Sequence, residues 1–205
     1  MSQHRLQPLL EPKSIAVVGA SPREKSFARN VMQGCLTAGF DGDLHLVNPR
    51  YDEVAGFPCV ARIGETPEPV EHAVMVVANT RIEAAIAEVI RAGVKSITLM
   101  ASGYLEGDSE PKLTERITHM ANEAGLLICG GNCLGYYNFE NSIHTNYSHC
   151  DPHPPGNVAF ISHSGAIFLS IAGSEPRMRY NLAVSAGQEL NVNAADYLDY
   201  MVDMP

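Results

Sequence analysis

The chain has 205 residues, of which 45% are hydrophobic and 18% charged; this allows one large domain, or one domain plus part of another, and argues against disorder. A formal net charge of -9 without any lysine–arginine cluster argues against nucleic-acid and membrane-surface partners, because both require clustered cations. Five cysteines without a C-x-x-C pair, together with no leader pattern and no apolar run of ~18 residues, predict a cytoplasmic protein with reduced thiols.

Short apolar runs alternate with amphipathic stretches over roughly the first 130 residues. Two stretches repeat apolar residues at helical spacing, one with Ile82 and Ile86 and the other with Leu113 and Ile117. Runs that are apolar throughout are typical of strands buried on both faces, so the pattern predicts an α/β fold with a parallel sheet between two layers of helices. The predicted strands are residues 14–18, 43–47, 73–77, 96–100 and 126–129.

Two segments interrupt this alternation. Residues 51–71 contain three prolines and are predicted to form a loop or an irregular crossover. Residues 136–156 are polar and aromatic and end in His-Pro-Pro-Gly, which predicts an inter-domain connection. We therefore predict a first domain at residues 1–138, a linker at 139–156 and a second α/β domain at 157–205.

The second domain begins with two more strand–helix units. Strands are predicted at residues 157–162 and 182–185, and helices at 164–173 and 192–202. Two such units cannot cover a sheet by themselves, so we expect this domain to be incomplete and to be completed by further sequence or by a partner.

Ligands of an open parallel sheet bind at the carboxyl ends of its strands, so the residues after each strand are the candidate site. After the first strand, Gly19, Ala20 and Ser21, with Arg23, can present backbone amides and a helix N-terminus to a phosphate. The alternative is that these small residues only permit tight packing. The loop lacks the GxGxxG pattern, which weakens an NAD interpretation.

Asn48, Pro49 and Arg50 follow the second strand. An NAD enzyme is expected to have an acidic residue there, which would bind the ribose hydroxyls. Arg50 instead suits a ribose that carries a phosphate, as in NADP or in the 3′-phospho-ADP half of coenzyme A. The alternative is an ordinary solvated surface arginine.

The remaining candidates follow the later strands, and each turn also has a purely structural interpretation. Cys133 is predicted to be a small residue in a ligand-binding turn rather than a nucleophile, because nothing in the sequence fixes a histidine beside it. We predict no catalytic residue and no metal site in this chain. The candidate cofactor contacts are Ala78, Asn79, Ser102, Gly103, Glu106, Asn132 and Cys133, and the candidate phosphate site at a helix N-terminus is Ser164, Gly165 and Ala166.

Six short segments, each of which is weak evidence of a family by itself, occur in order over nearly the whole chain. Together they resemble the nucleoside-diphosphate-forming acyl-CoA synthetases, a family that includes ADP-forming acetate–CoA ligases and is related to the succinyl-CoA synthetase alpha subunit. The segments are Ser14-Ile-Ala-Val-Val-Gly-Ala-Ser21, Val47-Asn-Pro-Arg50, Ser102-Gly-Tyr-Leu-Glu106, Asn132-Cys-Leu-Gly135, Ser162-His-Ser-Gly-Ala166 and Ser185-Ala-Gly-Gln-Glu189.

The resemblance implies a Rossmann-like domain that binds CoA or acyl-CoA through the turns named above. It implies a flavodoxin-like second domain, whose helix N-terminus at Ser164-Gly165-Ala166 holds the phosphate of a catalytic histidine. The family is a ligase that joins a carboxylic acid to CoA and converts ATP to ADP and phosphate. Its phosphohistidine and ATP-grasp segments are missing from this sequence, so ATP and Mg²⁺ are expected to bind remaining domains or a beta-type ATP-grasp subunit. A homo-oligomer is also compatible with the resemblance.

Two positions depart from the family pattern. Gly130-Gly131 replaces the family's Gly-Pro, which is expected to loosen the turn before Asn132. His163 replaces Gln or Arg between two serines, and we do not expect it to be phosphorylated, since the family's histidine lies farther along the chain. Two other functions stay open: a regulatory CoA- or acyl-CoA-binding module of a multidomain protein lysine acetyltransferase, and an NADP-binding oxidoreductase domain.

Overall fold

The computed structural model describes residues 4–148, 150–173, 177–202 and 204. The strands are β1 Ser14–Val18, β2 Asp43–Val47, β3 Glu53–Val54, β4 Phe57–Val60, β5 His72–Met75, β6 Ser96–Leu99, β7 Leu127–Gly130, β8 Gly135–Asn138, β9 Ile143–His144, β10 Val158–Ser162 and β11 Tyr180–Ser185. The α-helices are α1 Gln7–Leu10, α2 Phe27–Ala38, α3 Ile82–Arg91, α4 Leu113–Ala124, α5 Gly165–Ile171 and α6 Ala194–Val202. Short 3-10 helices occur at Ile63–Glu65 and Asn79–Arg81.

The first sheet has the strand order β3-β4-β2-β1-β5-β6-β7. All neighbouring strands from β4 to β7 pair in parallel, which confirms the predicted α/β fold with a mostly parallel sheet. The chain moves outward from β1 to β2 and then returns to the other side of β1 as β5. This reversal opens a crevice at the carboxyl ends of β1 and β5, where ligands of such sheets bind.

Both faces of this sheet are covered, as the uniformly apolar strands predicted. Val17 belongs to the buried cluster that contains Val31 of α2, on one face. Ala16, its neighbour in β1, belongs to the cluster that contains Ile86 of α3 and Ile117 of α4, on the other face. Consecutive strand residues point to opposite faces, so both faces of a strand in the middle of this sheet are buried and most of its residues are apolar.

The prediction of a loop or irregular crossover for residues 51–71 was wrong in part. β3 and β4 form an antiparallel hairpin, and β4 extends the sheet by pairing in parallel with β2. Ala55 and Gly56 make the turn with φ values of +60° and +84°, the left-handed geometry of a tight hairpin. Pro58 is tolerated because this hairpin lies at the sheet edge, where a missing N–H breaks no central ladder.

The segment predicted as a linker also contains regular structure. β8 and β9 form an antiparallel pair, and β8 pairs with β11 in a four-stranded sheet of order β10-β11-β8-β9. Two polar side chains of β8 donate to the N-terminal segment: the Tyr136 hydroxyl donates to Leu9 O at 2.5 Å, and Asn138 Nδ2 donates to Leu10 O at 2.8 Å. These partners lie more than 120 residues away in sequence, so the local pattern did not indicate a buried strand. The domain bounds themselves stay a prediction.

The N-terminal segment joins the two sheets. Leu6 and Leu10 are fully buried in the cluster that also contains Tyr197 of α6. Arg5 Nη1 lies 2.5 Å from Asp196 Oδ1, also on α6. The start of the chain therefore holds the helix that follows β11 against the first sheet. Within the described part of the chain, no helix combines the length and the apolarity needed to cross a bilayer.

A buried histidine lies in the middle of the first sheet. His72 Nδ1 is 2.8 Å from Ser96 Oγ and its Nε2 is 3.0 Å from Thr98 Oγ1. Ser96 Oγ donates its proton to Pro8 O at 2.7 Å, so it accepts from Nδ1–H and leaves Nε2 to accept from Thr98. Burial lowers the pKa of His72 to about 3, because the charged ring would be desolvated.

We expect His72 to make the protein acid-sensitive. The folded state keeps the ring neutral, whereas the unfolded chain binds a proton below its ordinary pKa of 6.5. This stabilisation is therefore complete above pH 6.5 and is lost as the pH falls toward 3. Urea unfolding measures the free energy of unfolding at pH 7 and at pH 5, and its decrease between the two should be smaller in His72→Gln than in the unchanged protein. Equal losses in the two proteins would contradict the assignment.

Candidate functional site

A cavity of about 570 Å³ opens at the carboxyl ends of β5, β6 and β7. It lies beside the crevice that the reversal of strand order creates. Its walls combine a few amide and hydroxyl groups with a larger apolar surface, and the lining that the structure describes carries no charged side chain. The lining residues are Phe27, Met75, Val76, Val77, Ala78, Asn79, Met100, Ala101, Ser102, Asn132, Cys133, Leu134 and Tyr147.

Five of the residues predicted from sequence line this cavity. They are Ala78, Asn79, Ser102, Asn132 and Cys133. The other predicted cofactor contacts lie outside its lining, although their turns follow strands of the same sheet. Gly103 lines an adjoining cavity of about 470 Å³, and Glu106 is exposed on the turn beyond it. The others are Gly19, Ala20, Ser21, Arg23, Asn48, Pro49 and Arg50.

The loop after β1 differs from the simplest phosphate-binding arrangement. The amides of Gly19 and Ala20 both donate to Val47 O, at 2.9 and 3.2 Å. These two amides therefore have an acceptor within the protein, and contact of this loop with a phosphate stays a prediction. The glycine is needed for another reason, since a Cβ at Gly19 would lie 2.1 Å from Val76 O. The loop thus passes against the start of the β5 turn and shapes the crevice.

Asn48 ties the first two post-strand loops together. Its Nδ2 donates to Ala20 O at 2.7 Å, and its Oδ1 accepts from the Arg50 amide at 3.0 Å. Arg50 is consequently held at the rim by its backbone, while its side chain is exposed. Among the described residues, neither the Arg50 nor the Arg23 guanidinium has an ion-pair partner. Both cations are available to an anionic ligand.

Asn79 clamps the loop after β6. Its Nδ2 donates to Ser102 Oγ at 3.3 Å and to Tyr104 O at 2.8 Å, and its Oδ1 accepts from the Gly103 amide at 3.1 Å. One side chain thus joins the turns after two adjacent strands. The predicted contacts Asn79, Ser102 and Gly103 form a connected group, and Asn79 sets the position of the other two.

The turn after β7 is held by the loop that follows β11. The amides of Gln188 and Leu190 donate to Gly131 O and Gly130 O, at 2.8 and 3.0 Å. Asn132 has φ at +51°, and its backbone amide donates to Ala101 O, in the loop after β6, at 3.0 Å. The peptide between the two glycines is cis. The loop after β11 therefore supplies two backbone hydrogen bonds to this turn, and the expected loosening stays a prediction.

The Cys133 thiol is buried beneath this turn. Its Sγ donates to Leu99 O and Cys129 O, each at 3.4 Å. The hydrogen-bonded Cys129 thiol and burial raise the pKa of Cys133 well above its usual value. A thiol held in its protonated form is a poor nucleophile. The geometry therefore favours a packing role for Cys133 at the cavity wall.

The turn after β10 lies against Leu134, a residue of the cavity lining. Ser164 Oγ accepts from the Ile167 amide at 3.3 Å and caps α5. A Cβ at Gly165 would lie 3.1 Å from Leu134, whose side chain lines the cavity. His163 Nε2 lies 2.8 Å from Glu189 Oε1. The phosphate role predicted for Ser164, Gly165 and Ala166 stays a prediction.

Comparison with known families identifies the part of the chain that contains the first sheet. A family model described as CoA binding domain matches residues 13–138. The chain belongs to the CoA binding domain family. A second model, described as succinyl-CoA ligase like flavodoxin domain, matches residues 155–205, in agreement with the fold classes predicted from sequence. The cavity lies largely within the CoA binding domain, with Tyr147 as a wall residue from the segment between the two matches.

Relatives of known activity match almost all of this chain. Acetate–CoA ligase [ADP-forming] I of Archaeoglobus fulgidus is 32% identical over 199 residues, which cover 96% of this chain and 29% of the relative. The alpha subunit of acetate–CoA ligase [ADP-forming] I of Pyrococcus furiosus is 28% identical over 97% of this chain and 44% of its own length. The chain thus spans less than half of each relative.

A solved structure shows the same fold at similar coverage. The apo form of the dinucleotide forming acetyl-coenzyme A synthetase 1 of Ca. Korarchaeum cryptofilum superposes with a TM-score of 0.90 and 30% identity. The match covers 98% of this chain and 44% of that chain. The predicted resemblance to ADP-forming acyl-CoA synthetases is confirmed at the level of family and fold.

Sequence reasoning missed the apolar wall of the CoA binding domain's cavity. Phe27 begins α2 and Tyr147 follows β9, so neither directly follows a strand of the first sheet. Leu134 lies just past the predicted turn, and Met100 was placed at the end of a strand. An aromatic residue at the first helical position after the β1 loop was the one available signal for Phe27.

We expect Asn79→Ala to weaken ligand binding through the loop it holds. The substitution removes three hydrogen bonds to residues 102–104, and we predict roughly a tenfold loss of CoA affinity with faster amide exchange at Gly103 and Tyr104. Calorimetry and hydrogen exchange measure the two effects. The neighbouring exposed Thr80→Ala should change neither. Unchanged exchange in Asn79→Ala would show that the clamp does not control this loop.

Proposed function

We propose that this chain binds coenzyme A and forms the CoA-binding portion of a nucleoside-diphosphate-forming acyl-CoA synthetase. The observation that carries the proposal is an uncharged cavity at the carboxyl edge of the first sheet, with exposed arginines in the neighbouring turns. Residues 13–138, which contain this sheet, match the CoA binding domain family. CoA carries its phosphates at one end and an uncharged thiol-bearing arm at the other. The crevice offers both environments side by side.

Different residues of the site would bind the phosphates and the uncharged arm of CoA. Arg50 and Arg23 lie after β2 and β1, where an exposed guanidinium can bind the 3′-phosphate or the diphosphate. Ala78 and Asn79 follow β5, and the other predicted contacts of the cavity follow β6 and β7. Their amide and hydroxyl groups provide donors and acceptors for the amides of the CoA arm.

The reaction proposed for the whole protein converts a carboxylic acid, CoA and ATP to acyl-CoA, ADP and phosphate. ATP, Mg²⁺ and the phosphohistidine belong to segments outside these 205 residues, either in further domains or in a beta-type ATP-grasp subunit. A relative that is itself an alpha subunit supports a division between chains. The helix N-terminus at Ser164, Gly165 and Ala166 is proposed to hold a phosphate during that reaction. A cytoplasmic location agrees with five free cysteines.

Ligand discrimination tests the proposal. We expect CoA to bind more tightly than 3′-dephospho-CoA, NADP and NAD in calorimetry, because its 3′-phosphate meets a cation. In thermal unfolding, CoA at a hundredfold excess over its Kd should stabilise the protein by about 2.7 kcal/mol. Stabilisation by NADP but not by CoA would favour an oxidoreductase domain and overturn the proposal. The ligase activity is tested on the protein made from the full reading frame, by measuring thioester formation and ADP release with and without a carboxylic acid substrate. A purely regulatory CoA-binding module would show neither.

A further inference from the structure

Two aromatic rings pack against each other in the lining of the cavity. The ring centroids of Phe27 and Tyr147 are 4.5 Å apart with planes inclined by 35°, and both residues line the cavity. Phe27 is 56% exposed, although burying a phenylalanine side chain normally stabilises a protein. Tyr147 is packed against the main buried cluster and supports the pair from behind. The pair therefore presents apolar surface to whatever enters the cavity.

The distribution of charge indicates which part of CoA enters the cavity that these rings line. The described cavity lining carries no charge, whereas Arg50 follows β2 on the far side of β1. The strands that lead into most of the cavity lining, β5 to β7, lie two to four strand intervals from β2, or ~10–19 Å at the usual spacing, while Phe27 begins the helix that follows β1. An extended ligand anchored by its phosphates near Arg50 would therefore reach the cavity with its other end. For CoA, that end is the pantetheine arm, with its methyl groups, methylenes and two amides.

We propose that the Phe27–Tyr147 pair packs against the pantetheine arm of CoA and positions its thiol end in the cavity. This inference rests on the proposed function and assigns a specific contact within it. The rings would cover the dimethyl and methylene carbons, while Asn79, Ser102 and Asn132 lie on the polar side of the same cavity. The pair is a positioning element and takes no part in bond making.

Two ligands distinguish packing of the rings against the pantetheine arm from packing against the adenine base. CoA contains the arm, and adenosine 3′,5′-bisphosphate contains the base, the ribose and two of the three phosphates without it. We expect Phe27→Ala and Tyr147→Ala each to lower CoA affinity roughly tenfold, and to leave bisphosphate affinity within about twofold. Tyr147→Phe keeps the ring and should bind CoA normally. Leu36→Ala, which alters another exposed apolar residue of α2, should affect neither ligand.

The outcomes are distinct. Equal losses for CoA and the bisphosphate would place the adenine base on the rings and overturn the inference. Normal CoA binding by both alanine variants would show that the rings are not a contact. A failure of the unchanged protein to bind CoA would overturn the proposed function itself. Because Phe27 is exposed, its variant should fold, and its thermal midpoint provides the check.

Discussion

Replacing Gly19 by alanine is expected to destabilise the protein by about 3 kcal/mol or more, and to abolish CoA binding in the fraction that still folds. The added Cβ would lie 2.1 Å from Val76 O, at a residue whose φ is +96°. Both the backbone and the neighbouring turn would have to move, and these two turns form the floor of the crevice. Urea unfolding and calorimetry with CoA measure the two effects.

Gly93→Ala is the matched control for Gly19. Gly93 has φ at +79°, but nothing lies within 4 Å of the Cβ position. Its replacement should cost about 1 kcal/mol from backbone strain alone and leave CoA affinity unchanged. If the two variants lost similar stability, the close approach of the β1 loop to Val76 would not be a determinant of this fold.

Arg50→Ala is expected to weaken CoA binding by about 1.5–3 kcal/mol, the range for a hydrogen bond to a charged group, which corresponds to roughly 10- to 150-fold in affinity. The guanidinium is exposed and lacks an ion-pair partner among the described residues, so its removal should not destabilise the fold. The loss should be near zero for 3′-dephospho-CoA. Titration calorimetry of both ligands with both proteins gives the comparison.

The control for Arg50 lies at the other end of the sheet. Arg91, also exposed, is the last residue of α3, which leads back toward the amino ends of the strands. Arg91→Ala removes the same charge and should leave both affinities unchanged at moderate salt. Equal losses for CoA and its dephospho form in Arg50→Ala would remove Arg50 from contact with the 3′-phosphate.

The sheet was largely predictable because its strands are buried on both faces. β1 and β2 have the predicted bounds to the residue. The hairpin of β3 and β4 was missed because three prolines in residues 51–71 indicated a loop or irregular crossover, and the edge position that tolerates Pro58 depends on the tertiary fold. The strand β8 was missed because Tyr136 and Asn138 donate to Leu9 and Leu10, and no local rule connects residues so far apart.

The site was predictable in location but less so in its chemistry. Counting residues after each strand found Asn79, Ser102 and Asn132, because parallel strands bring their carboxyl ends to one edge. It did not show that the amides of Gly19 and Ala20 are already occupied by Val47 O. It also missed the two rings of the apolar wall, since Phe27 lies at a helix start and Tyr147 in the segment that follows β9.

A crystal structure with bound CoA tests the central claim most directly. We predict electron density for the arm inside the cavity between the Phe27–Tyr147 pair and Asn79, with the thiol beside Asn132 and the 3′-phosphate at Arg50. Density for CoA elsewhere on the protein, or a cavity that stays empty at saturating CoA, would contradict the account.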